Sequence, residues 1–337
     1  MKRFLIIFLA CTVLCSALFA SGCAKSEDFL RVVDGYIVMD ETDGLALMGA
    51  ENTLIKDNVF IVPQEINGNP VVSIGYRKMM WWPTDEWDAV LRFRENDEIK
   101  KIVINHDIRI HHYALDELRF LYEIEVNSSL SGSKGVSTFG AYNVLGLSAN
   151  TESTDALNTW LHDARKLRTL RLQVEQLNRL MLKSSDNFIA YFADGAKSIS
   201  DTFSRYKKLS VFVVPETVTE IASRAFENCS LDLYLRTTEE DCSESVKSAL
   251  PADCNIVWGF KDEIIIFDAL NENGIIFEET NKNYQVVAKG EKLQCPDAPI
   301  KDGCVFDGWY SDYIYSKKWD FEKDTVNDSM TLVAKWI

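Results

Sequence analysis

The sequence has few of the residues and motifs on which enzymes and nucleic-acid binders depend. Only four of its 337 residues are histidines, and it contains no Walker A motif, no dinucleotide-binding glycine motif and no H-E-x-x-H zinc motif. Positive charge is scarce, because 36 Lys and Arg against 51 Asp and Glu give a net charge of −15. Such a field repels phosphate backbones and disfavours nucleic-acid binding. We therefore predict a protein that is not an enzyme and uses no cofactor.

The spacing of the histidines in the sequence does not predict a metal site. His106, His111 and His112 share one segment, but a strand followed by a turn does not bring their ring nitrogens together, and no carboxylate spacing completes a site. We interpret them as solvated or core-edge residues and predict no metal centre. Weak calcium binding by the acidic surface stays open.

Long apolar runs are confined to the start of the chain. Lys2 and Arg3 precede a mostly apolar stretch over residues 4–19, which is followed by small residues up to Cys23. This pattern is typical of a secretory signal peptide, since the run is short for a membrane span. The ending Ala20-Ser21-Gly22-Cys23 resembles a bacterial lipobox with Ala20 in the usual Leu place.

The lipobox resemblance implies cleavage after residue 22 and a diacylglycerol on Cys23, with residues 23–31 as a tether. We therefore expect an exported protein whose N-terminal lipid (palmitate or a similar acyl chain) holds it at the cell membrane, facing outside. The alternative is an ordinary secretory signal with an incidental cysteine.

Five cysteines remain after the expected cleavage. An odd number cannot pair completely inside one chain. Cys295 and Cys304 are close in sequence, and we name them as a candidate disulfide; three others cluster within 26 residues. The alternative, in which all five are reduced and buried as small apolar residues, stays open. The five are Cys229, Cys242, Cys254, Cys295 and Cys304.

The body of the chain repeats one pattern. Residues 59–75, 98–115 and 208–230 each contain a short apolar strand, a proline or asparagine, a turn and a second apolar corner. A single unit cannot bury its apolar corner, so stacked units that share one core are expected. The sequence therefore predicts a solenoid.

These units resemble BspA-like leucine-rich repeats. The segment VVPETVTEIASRAFENCS, residues 213–230, is a near-complete unit, and the resemblance covers residues 32–259. A lead-in hairpin with a turn at Asp43-Gly44 is expected before the first unit. Over residues 116–197 the repeat spacing stretches and the apolar residues have helix-like spacing, so we expect an irregular solenoid with an inserted helical region.

The C-terminal segment, residues 263–337, has four or five short alternating strands. Its motifs are Gly290-Glu291, the FDGWY segment at residues 306–310 and the closing LVAKW at residues 332–336. It resembles the internalin-type B-repeat, or Listeria-Bacteroides repeat. The resemblance implies a small β-grasp-like domain of a bacterial surface protein. Trp309 and Trp336 are expected to form the core of this domain.

Three tryptophans lie in an apparent insertion between repeats. Trp81, Trp82 and Trp87 could anchor a protein or glycan partner, because loop aromatics bury much area at small entropic cost. Alternatively, they pack under the insertion and cap the core. The leading hypothesis is thus a non-catalytic surface lipoprotein that binds a partner through its solenoid in adhesion or recognition. The alternative is a structural or spacer envelope protein without a specific ligand.

Overall fold

The computed structural model describes most of the chain after the first 29 residues. The expected signal peptide, Cys23 and the three tryptophans of the insertion lie outside the described residues. The described residues are 30–77, 90–91, 93–111, 113–129, 142–154, 157–158, 161, 164–180, 182, 188–200, 203, 206–270 and 282–337.

The regular structure of the described part is almost entirely β-strand; one α-helix is described along its whole length, α1 (Glu244–Ala249), and Leu157, Asn158 and Leu161 are also helical. The helix starts at Ser243, whose side chain accepts a hydrogen bond from the Val246 amide. The strands are β1 (Arg31–Val33), β2 (Tyr36–Glu41), β3 (Gly44–Ala50), β4 (Val59–Ile61), β5 (Glu65–Ile66), β6 (Asn69–Ile74), β7 (Tyr76–Arg77), β8 (Val90–Leu91), β9 (Lys101–Ile104), β10 (Arg109–Ile110), β11 (Glu123–Ser129), β12 (Gly146–Ser153), β13 (Thr169–Leu177), β14 (Ala190–Asp194), β15 (Ser198–Ile199), β16 (Val211–Val214), β17 (Glu220–Ile221), β18 (Asp232–Leu235), β19 (Ile256–Val257), β20 (Glu263–Asp268), β21 (Tyr284–Val287), β22 (Phe306–Tyr310) and β23 (Met330–Trp336).

A stack of parallel strands forms the solenoid. Strands β4, β9, β11, β12, β13 and β14 pair in parallel in that order. In register, Lys101 pairs with Glu123, Glu123 with Gly146, Gly146 with Thr169 and Thr169 with Ala190. Strands β16, β18 and β19 continue the same parallel arrangement as a separate three-stranded sheet. The predicted solenoid is therefore confirmed by its strand register.

The predicted inserted helical region over residues 116–197 is not confirmed. The described residues there include the four parallel strands β11 to β14, whose starts at Glu123, Gly146, Thr169 and Ala190 give coils of nearly equal length. Strands β11 to β13 alternate inward apolar residues with mostly polar outward ones, whereas the outward residues Ala190 and Phe192 of β14 are apolar. The helix-like spacing arose from the segments between strands, where Leu157 and Leu161 turn inward and are fully buried.

The first strands form the expected lead-in hairpin. Strands β2 and β3 pair antiparallel, and Glu41 faces Gly44, so Thr42 and Asp43 form the turn one residue earlier than predicted. A Cβ atom on Gly44 would lie 2.4 Å from the carbonyl oxygen of Pro70. Only glycine fits at this position, because strand β6 passes directly against it.

The solenoid core is built from two inward rows of side chains that run along the stack. Alternation sends every second residue of each strand inward. The first row is Ile102, Ile124, Leu147, Leu170, Tyr191, Phe212 and Leu233, and the second is Ile104, Val126, Ala149, Leu172, Ala193, Val214 and Leu235; all are buried. Aromatic rings fill the later coils, where Phe203 lies 4.5 Å from Phe212 and 4.8 Å from Phe226 between ring centroids.

Residues 263–337, here the C-terminal domain, form a four-stranded sheet in the order β21, β20, β23, β22. The central pair β20 and β23 is parallel, and the outer pairs are antiparallel. On one face, Phe267 and Trp309 join a separate core against which Trp336 packs, so the prediction for these tryptophans is confirmed. A β-grasp fold is not confirmed, since no helix packs on this sheet among its described residues.

No helix in the described part of the chain is long and apolar enough to cross a membrane.

Candidate functional site

The outward face of the parallel sheet carries two rows of side chains that alternate with the core rows. Row one is Val59, Lys101, Glu123, Gly146, Thr169 and Ala190, continued by Val211 and Asp232; row two is Ile61, Val103, Glu125, Ser148, Arg171 and Phe192, continued by Val213 and Tyr234. The rows are polar at the middle strands and apolar at the later ones. This change in character coincides with the position of the C-terminal domain.

The C-terminal domain is packed against this outward face. Strand β20 is buried on both sides: Ile265 and Phe267 face the core of their own domain, whereas Ile264 and Ile266 join a cluster with solenoid residues. That shared cluster contains Ala190, Phe192, Val211, Tyr234, Phe260 and Tyr284 together with Ile189, Ile264 and Ile266. The two domains thus share an apolar interface rather than lying apart on a linker.

A buried ion pair lies at one side of the interface. The guanidinium of Arg168 donates two hydrogen bonds to Asp268, at 2.5 and 2.6 Å, and the Asp268 side chain is completely buried. The phenol of Tyr313 donates to the same carboxylate at 2.9 Å. Burial, followed by the charge of Asp268, raises the pKa of Tyr313 well above its usual value. The phenol therefore stays protonated and keeps donating to the carboxylate.

A second polar group closes the other end of the interface. Asp232 on β18 accepts a hydrogen bond from the Tyr284 hydroxyl and pairs with Lys282 at 2.6 Å. Burial opposes the charge on Asp232, but the bonds from Lys282 and Tyr284 prevail and lower its pKa. Arg236 extends this side by binding Glu263 at 3.1 Å.

Glu123 marks the edge of the covered region. Its carboxylate accepts the backbone amide of Tyr313 at 2.7 Å and lies 3.5 Å from the ammonium of Lys101. Burial raises the pKa of Glu123 despite these two partners. Beyond this residue, towards β9 and β4, the C-terminal domain makes no described hydrogen bond to the outward face.

Two clefts lie along the seam between the domains. One, of about 220 Å³, is lined by solenoid residues including Lys101, Glu125 and Ser148 and by Asp312 of the C-terminal domain. The other, of about 310 Å³, is lined by Asp194, Glu216 and Arg236, among others. Arg171 lines both, but it is engaged with Asp328 at 3.2 Å and lies over the Phe192 ring. The positively charged residues that line the seam are therefore already paired, as Lys101 is with Glu125, Arg171 with Asp328 and Arg236 with Glu263.

The uncovered remainder of the outward face is more exposed. We call the outward residues Val59, Ile61, Val103, Asn105 and Asn127 the open face. Ile61 is 57% exposed, and Ile61 pairs in register with Val103. Asn127 donates a hydrogen bond to Asn105 at 2.9 Å, which continues the ladder between neighbouring coils.

The predicted site residues fall into two groups. Cys23, Trp81, Trp82 and Trp87 lie outside the described residues, so lipidation and tryptophan-mediated binding stay predictions. Cys295 and Cys304 are described as exposed free thiols, and their disulfide stays a prediction.

The described histidines are engaged with their neighbours. His106 Nε2 lies 3.2 Å from the Val71 carbonyl oxygen, and His111 Nε2 lies 3.7 Å from Glu41. No group of three metal-ligating side chains occurs among the described residues.

The interface between the domains was not predicted from the sequence, although three strands of the solenoid contain a sequence pattern that indicates it. Strands β14, β16 and β18 read AYFAD, VFVV and DLYL, nearly continuous apolar runs, whereas β11 reads EIEVNSS. A continuous apolar strand is typical of a sheet buried on both faces. The apolar sequences of β14, β16 and β18 thus indicate that another part of the protein packs on the outward face of the later coils.

Comparison with known families agrees with the C-terminal motifs. The Listeria-Bacteroides repeat domain model matches residues 264–335. This segment is similar to the Listeria-Bacteroides repeat domain. The predicted resemblance is thereby confirmed over residues 264–335, and the segment that carries it is the element that covers the solenoid.

Two relatives from Evansella cellulosilytica are both named as membrane proteins, and one of them as Gly-rich. They are 33% identical over 89 residues and 40% identical over 70 residues. The matches cover 23% and 20% of this chain, and only 13% and 8% of the two relatives. The likeness therefore concerns one part of larger proteins.

Two solved structures share a distant likeness. A leucine-rich cell surface protein from Faecalibacterium prausnitzii is 14% identical, with a TM-score of 0.31 and coverage of 61% of this chain and 54% of that one. A leucine-rich repeat protein from Bacteroides ovatus is 13% identical, with a TM-score of 0.24 and coverage of 63% and 66%. At these TM-scores the similarity supports no inference about this chain. The solenoid is inferred from the register of its own parallel strands.

Proposed function

We propose that this protein is an exported, non-catalytic surface lipoprotein, anchored through Cys23, which binds a protein or glycan partner with its solenoid. The observation that carries the proposal is the position of the C-terminal domain on the outward face. A spacer gains reach when its modules extend one after another, but here the second module folds back and is held by a buried ion pair. The two domains therefore present one composite surface.

The open face is the proposed binding region. Extended solenoid surfaces are suited to partner recognition, because they offer rows of side chains at fixed spacing. Ile61 supplies exposed apolar area, and the amides of Asn105 and Asn127 supply hydrogen-bonding groups beside it. The C-terminal domain leaves this part open while it covers the later coils.

The described polar groups support a non-catalytic role. The buried charged side chains at the interface are paired with one another across the two domains, as Arg168 is with Asp268 and Arg236 with Glu263. Their positions are explained by holding the domains together. Membrane attachment through lipid is supported by the sequence pattern before Cys23.

A binding assay tests the proposal. The mature chain with Cys23→Ser is titrated onto surfaces coated with purified fibronectin, collagen or peptidoglycan, and we expect saturable binding to one of them. Ile61→Glu with Val103→Glu should weaken that binding at least about tenfold, which corresponds to about 1.4 kcal/mol and is less than the roughly 2 kcal/mol lost at a binding hot spot. Val286→Glu, at a residue of the C-terminal domain that is 41% exposed, is the matched control.

Two outcomes would count against the proposal. The absence of saturable binding to all three coatings, together with unchanged adherence after Trp81, Trp82 and Trp87 are replaced by Ala, would favour the spacer alternative. For the anchor, mass spectrometry of the mature N-terminus should show an acylated Cys23. An unmodified Cys23, or a chain that still begins at Met1, would contradict it.

A further inference from the structure

Two cysteines of neighbouring coils approach each other at the end of the solenoid. Cys229 lies before strand β18, and Cys254 lies before strand β19, which pairs with β18 through Leu233 and Ile256. The thiol of Cys254 points to the Cys229 carbonyl oxygen at 3.6 Å. Both side chains are partly buried and pack against the solenoid core.

The spacing suits a disulfide. A carbonyl oxygen lies less than about 2.8 Å from its own Cα atom, so the sulfur of Cys254 is within about 6.4 Å of the Cys229 Cα atom. A disulfide requires Cα atoms about 4.4–6.8 Å apart, and this position of the Cys254 sulfur is compatible with such a separation. Rotation of both side chains is then needed to bring the two sulfur atoms into bonding distance.

The other thiols are placed differently. Cys242 is buried, and its charged neighbours are Lys247 and Glu244 on helix α1. Cys295 lies near Asp297 and Glu322 in the C-terminal domain. By contrast, Cys254 is a direct electrostatic neighbour of Cys229, and burial followed by this neighbour raises the pKa of Cys229 to about 11.

We propose that Cys229 and Cys254 are a disulfide site that takes a disulfide-form thiol oxidant as its co-reactant. In the reaction, the thiolate of one cysteine attacks the external disulfide, forms a mixed disulfide and releases one external thiol; the thiolate of the second cysteine then attacks the protein sulfur of the mixed disulfide and displaces the second external thiol. Two protein thiols and one external disulfide thus become one protein disulfide and two external thiols. The protein loses two hydrogens and two electrons, and the oxidant gains them.

The bond would lock the last coil of the solenoid onto the one before it. The loop that it closes contains strand β18 and helix α1, and it ends just before Phe260, which packs at the interface with the C-terminal domain. Cross-linking restricts the unfolded chain and so favours the folded state. The disulfide would lie at the end of the solenoid, close to where the chain enters the C-terminal domain.

The raised pKa of Cys229 also predicts how fast the two thiols are oxidised. Only the thiolate attacks, and little of it exists at neutral pH when the pKa is high. Oxidation by a small disulfide is therefore expected to be slow at pH 7 and to accelerate at pH 9. An exported protein would form the bond with the help of an oxidoreductase.

Tryptic mapping tests the proposal on the mature chain. The purified protein, with Cys23→Ser, is reduced, incubated with glutathione disulfide at pH 9, alkylated and digested. Trypsin places the five cysteines in five separate peptides, because Arg224, Arg236, Lys247, Lys261, Lys292 and Lys301 separate them. We expect the peptide of residues 225–236 to be linked to the peptide of residues 248–261, and reductant to release both.

A stability measurement supplies the second readout. The urea midpoint of the oxidised protein should exceed that of the reduced protein, and Cys254→Ser should abolish the difference. Cys242→Ser is the matched control and should preserve it. Recovery of the two peptides separately, whether alkylated or carrying glutathione, would overturn the proposal. So would a link from either of them to the peptide of Cys242, Cys295 or Cys304.

Discussion

Arg168 of the solenoid and Asp268 of the C-terminal domain are one hundred residues apart and form a two-bond ion pair inside the protein. The Arg168 side chain is 12% exposed and the Asp268 side chain is fully buried. Removal of one partner from such a pair leaves an uncompensated buried charge. The packing of the two domains is therefore sensitive to the loss of either partner alone.

The first prediction concerns this ion pair. We expect Asp268→Asn to lower the free energy of unfolding by about 3–5 kcal/mol, because Arg168 stays buried without its counter-charge. Calorimetry should show the C-terminal domain and the solenoid melting as two separate transitions instead of one. Replacement of both partners by Leu should recover much of the loss.

The matched control is Asp328→Asn, which affects an exposed carboxylate paired with Arg171 across the same interface. Exposed pairs contribute about 0–1 kcal/mol, so this variant should unfold as the wild type does. Equal losses in the two aspartate variants would contradict the importance assigned to burial.

The second prediction concerns a glycine under the C-terminal domain. Gly146 faces outward, and a Cβ atom there would lie 3.0 Å from the ring of Tyr313. We expect Gly146→Val to cost about 1–3 kcal/mol by overpacking, and to weaken the interface rather than the core. Hydrogen exchange should increase in residues 302–317.

Gln173→Val, at an exposed outward position on β13, provides the comparison. This variant should leave the exchange of residues 302–317 unchanged, since Gln173 is four residues along β13 from Thr169, whose hydroxyl contacts that of Tyr313. Faster exchange in both variants would show that any outward valine disturbs the sheet, and the interface explanation would then be wrong.

The coil structure was partly predictable because short strands leave a local pattern. Alternation identified the units at residues 59–75, 98–115 and 208–230, each of which includes a strand of the stack. The middle coils were harder to recognise because residues 116–197 contain no proline, unlike the units at residues 59–75 and 208–230, while Leu157 and Leu161 lie at helical spacing between strands. Leu157 and Leu161 are helical in the structure, but apolar residues three to four positions apart do not reveal that parallel strands lie on both sides of such a segment.

The interface could not have been predicted in detail. The partners Arg168 and Asp268 are polar residues with ordinary neighbours in the sequence, and only the fold brings them together across one hundred positions. The apolar runs of β14 and β16 signalled that something covers them. Which element supplies the cover depends on the path of the whole chain.

The third prediction concerns the aromatic core of the later coils. Phe203 is 1% exposed and lies against Phe212 and Phe226. We expect Phe203→Ala to lower the free energy of unfolding by about 3–5 kcal/mol, because it leaves a cavity that the rigid stack cannot fill. Urea denaturation followed by circular dichroism measures the loss.

Phe120→Ala is the control for the same chemical change, since Phe120 is 41% exposed. Its cost should stay within about 0.5 kcal/mol. A loss at Phe203 no larger than that at Phe120 would mean that the later coils are loosely packed.

The last prediction concerns acid unfolding of the C-terminal domain. A hydrogen bond from Tyr310, together with Lys335 and Lys318, lowers the pKa of Asp307 from 3.8 to about 2. A carboxylate with a lowered pKa stabilises the folded state above its unfolded pKa, and this contribution is lost as the pH falls towards 2. Asp307→Asn removes the titrating group, so its melting temperature should change less between pH 5 and pH 2 than that of the wild type.

Some acid sensitivity should remain in that variant. The Lys323 ammonium lowers the pKa of Asp320, and the Asp320 backbone amide with Lys317 lowers that of Asp324, both in the same domain. Asp302→Asn, at an exposed carboxylate of this domain, is the control and should keep the full slope of the wild type. Parallel melting curves for wild type, Asp307→Asn and Asp302→Asn across this range would show that the Tyr310 and lysine contacts of Asp307 do not stabilise the fold. A flatter curve for Asp307→Asn alone would assign the acid-sensitive stability to those contacts, because only that variant removes the carboxylate that they hold ionised.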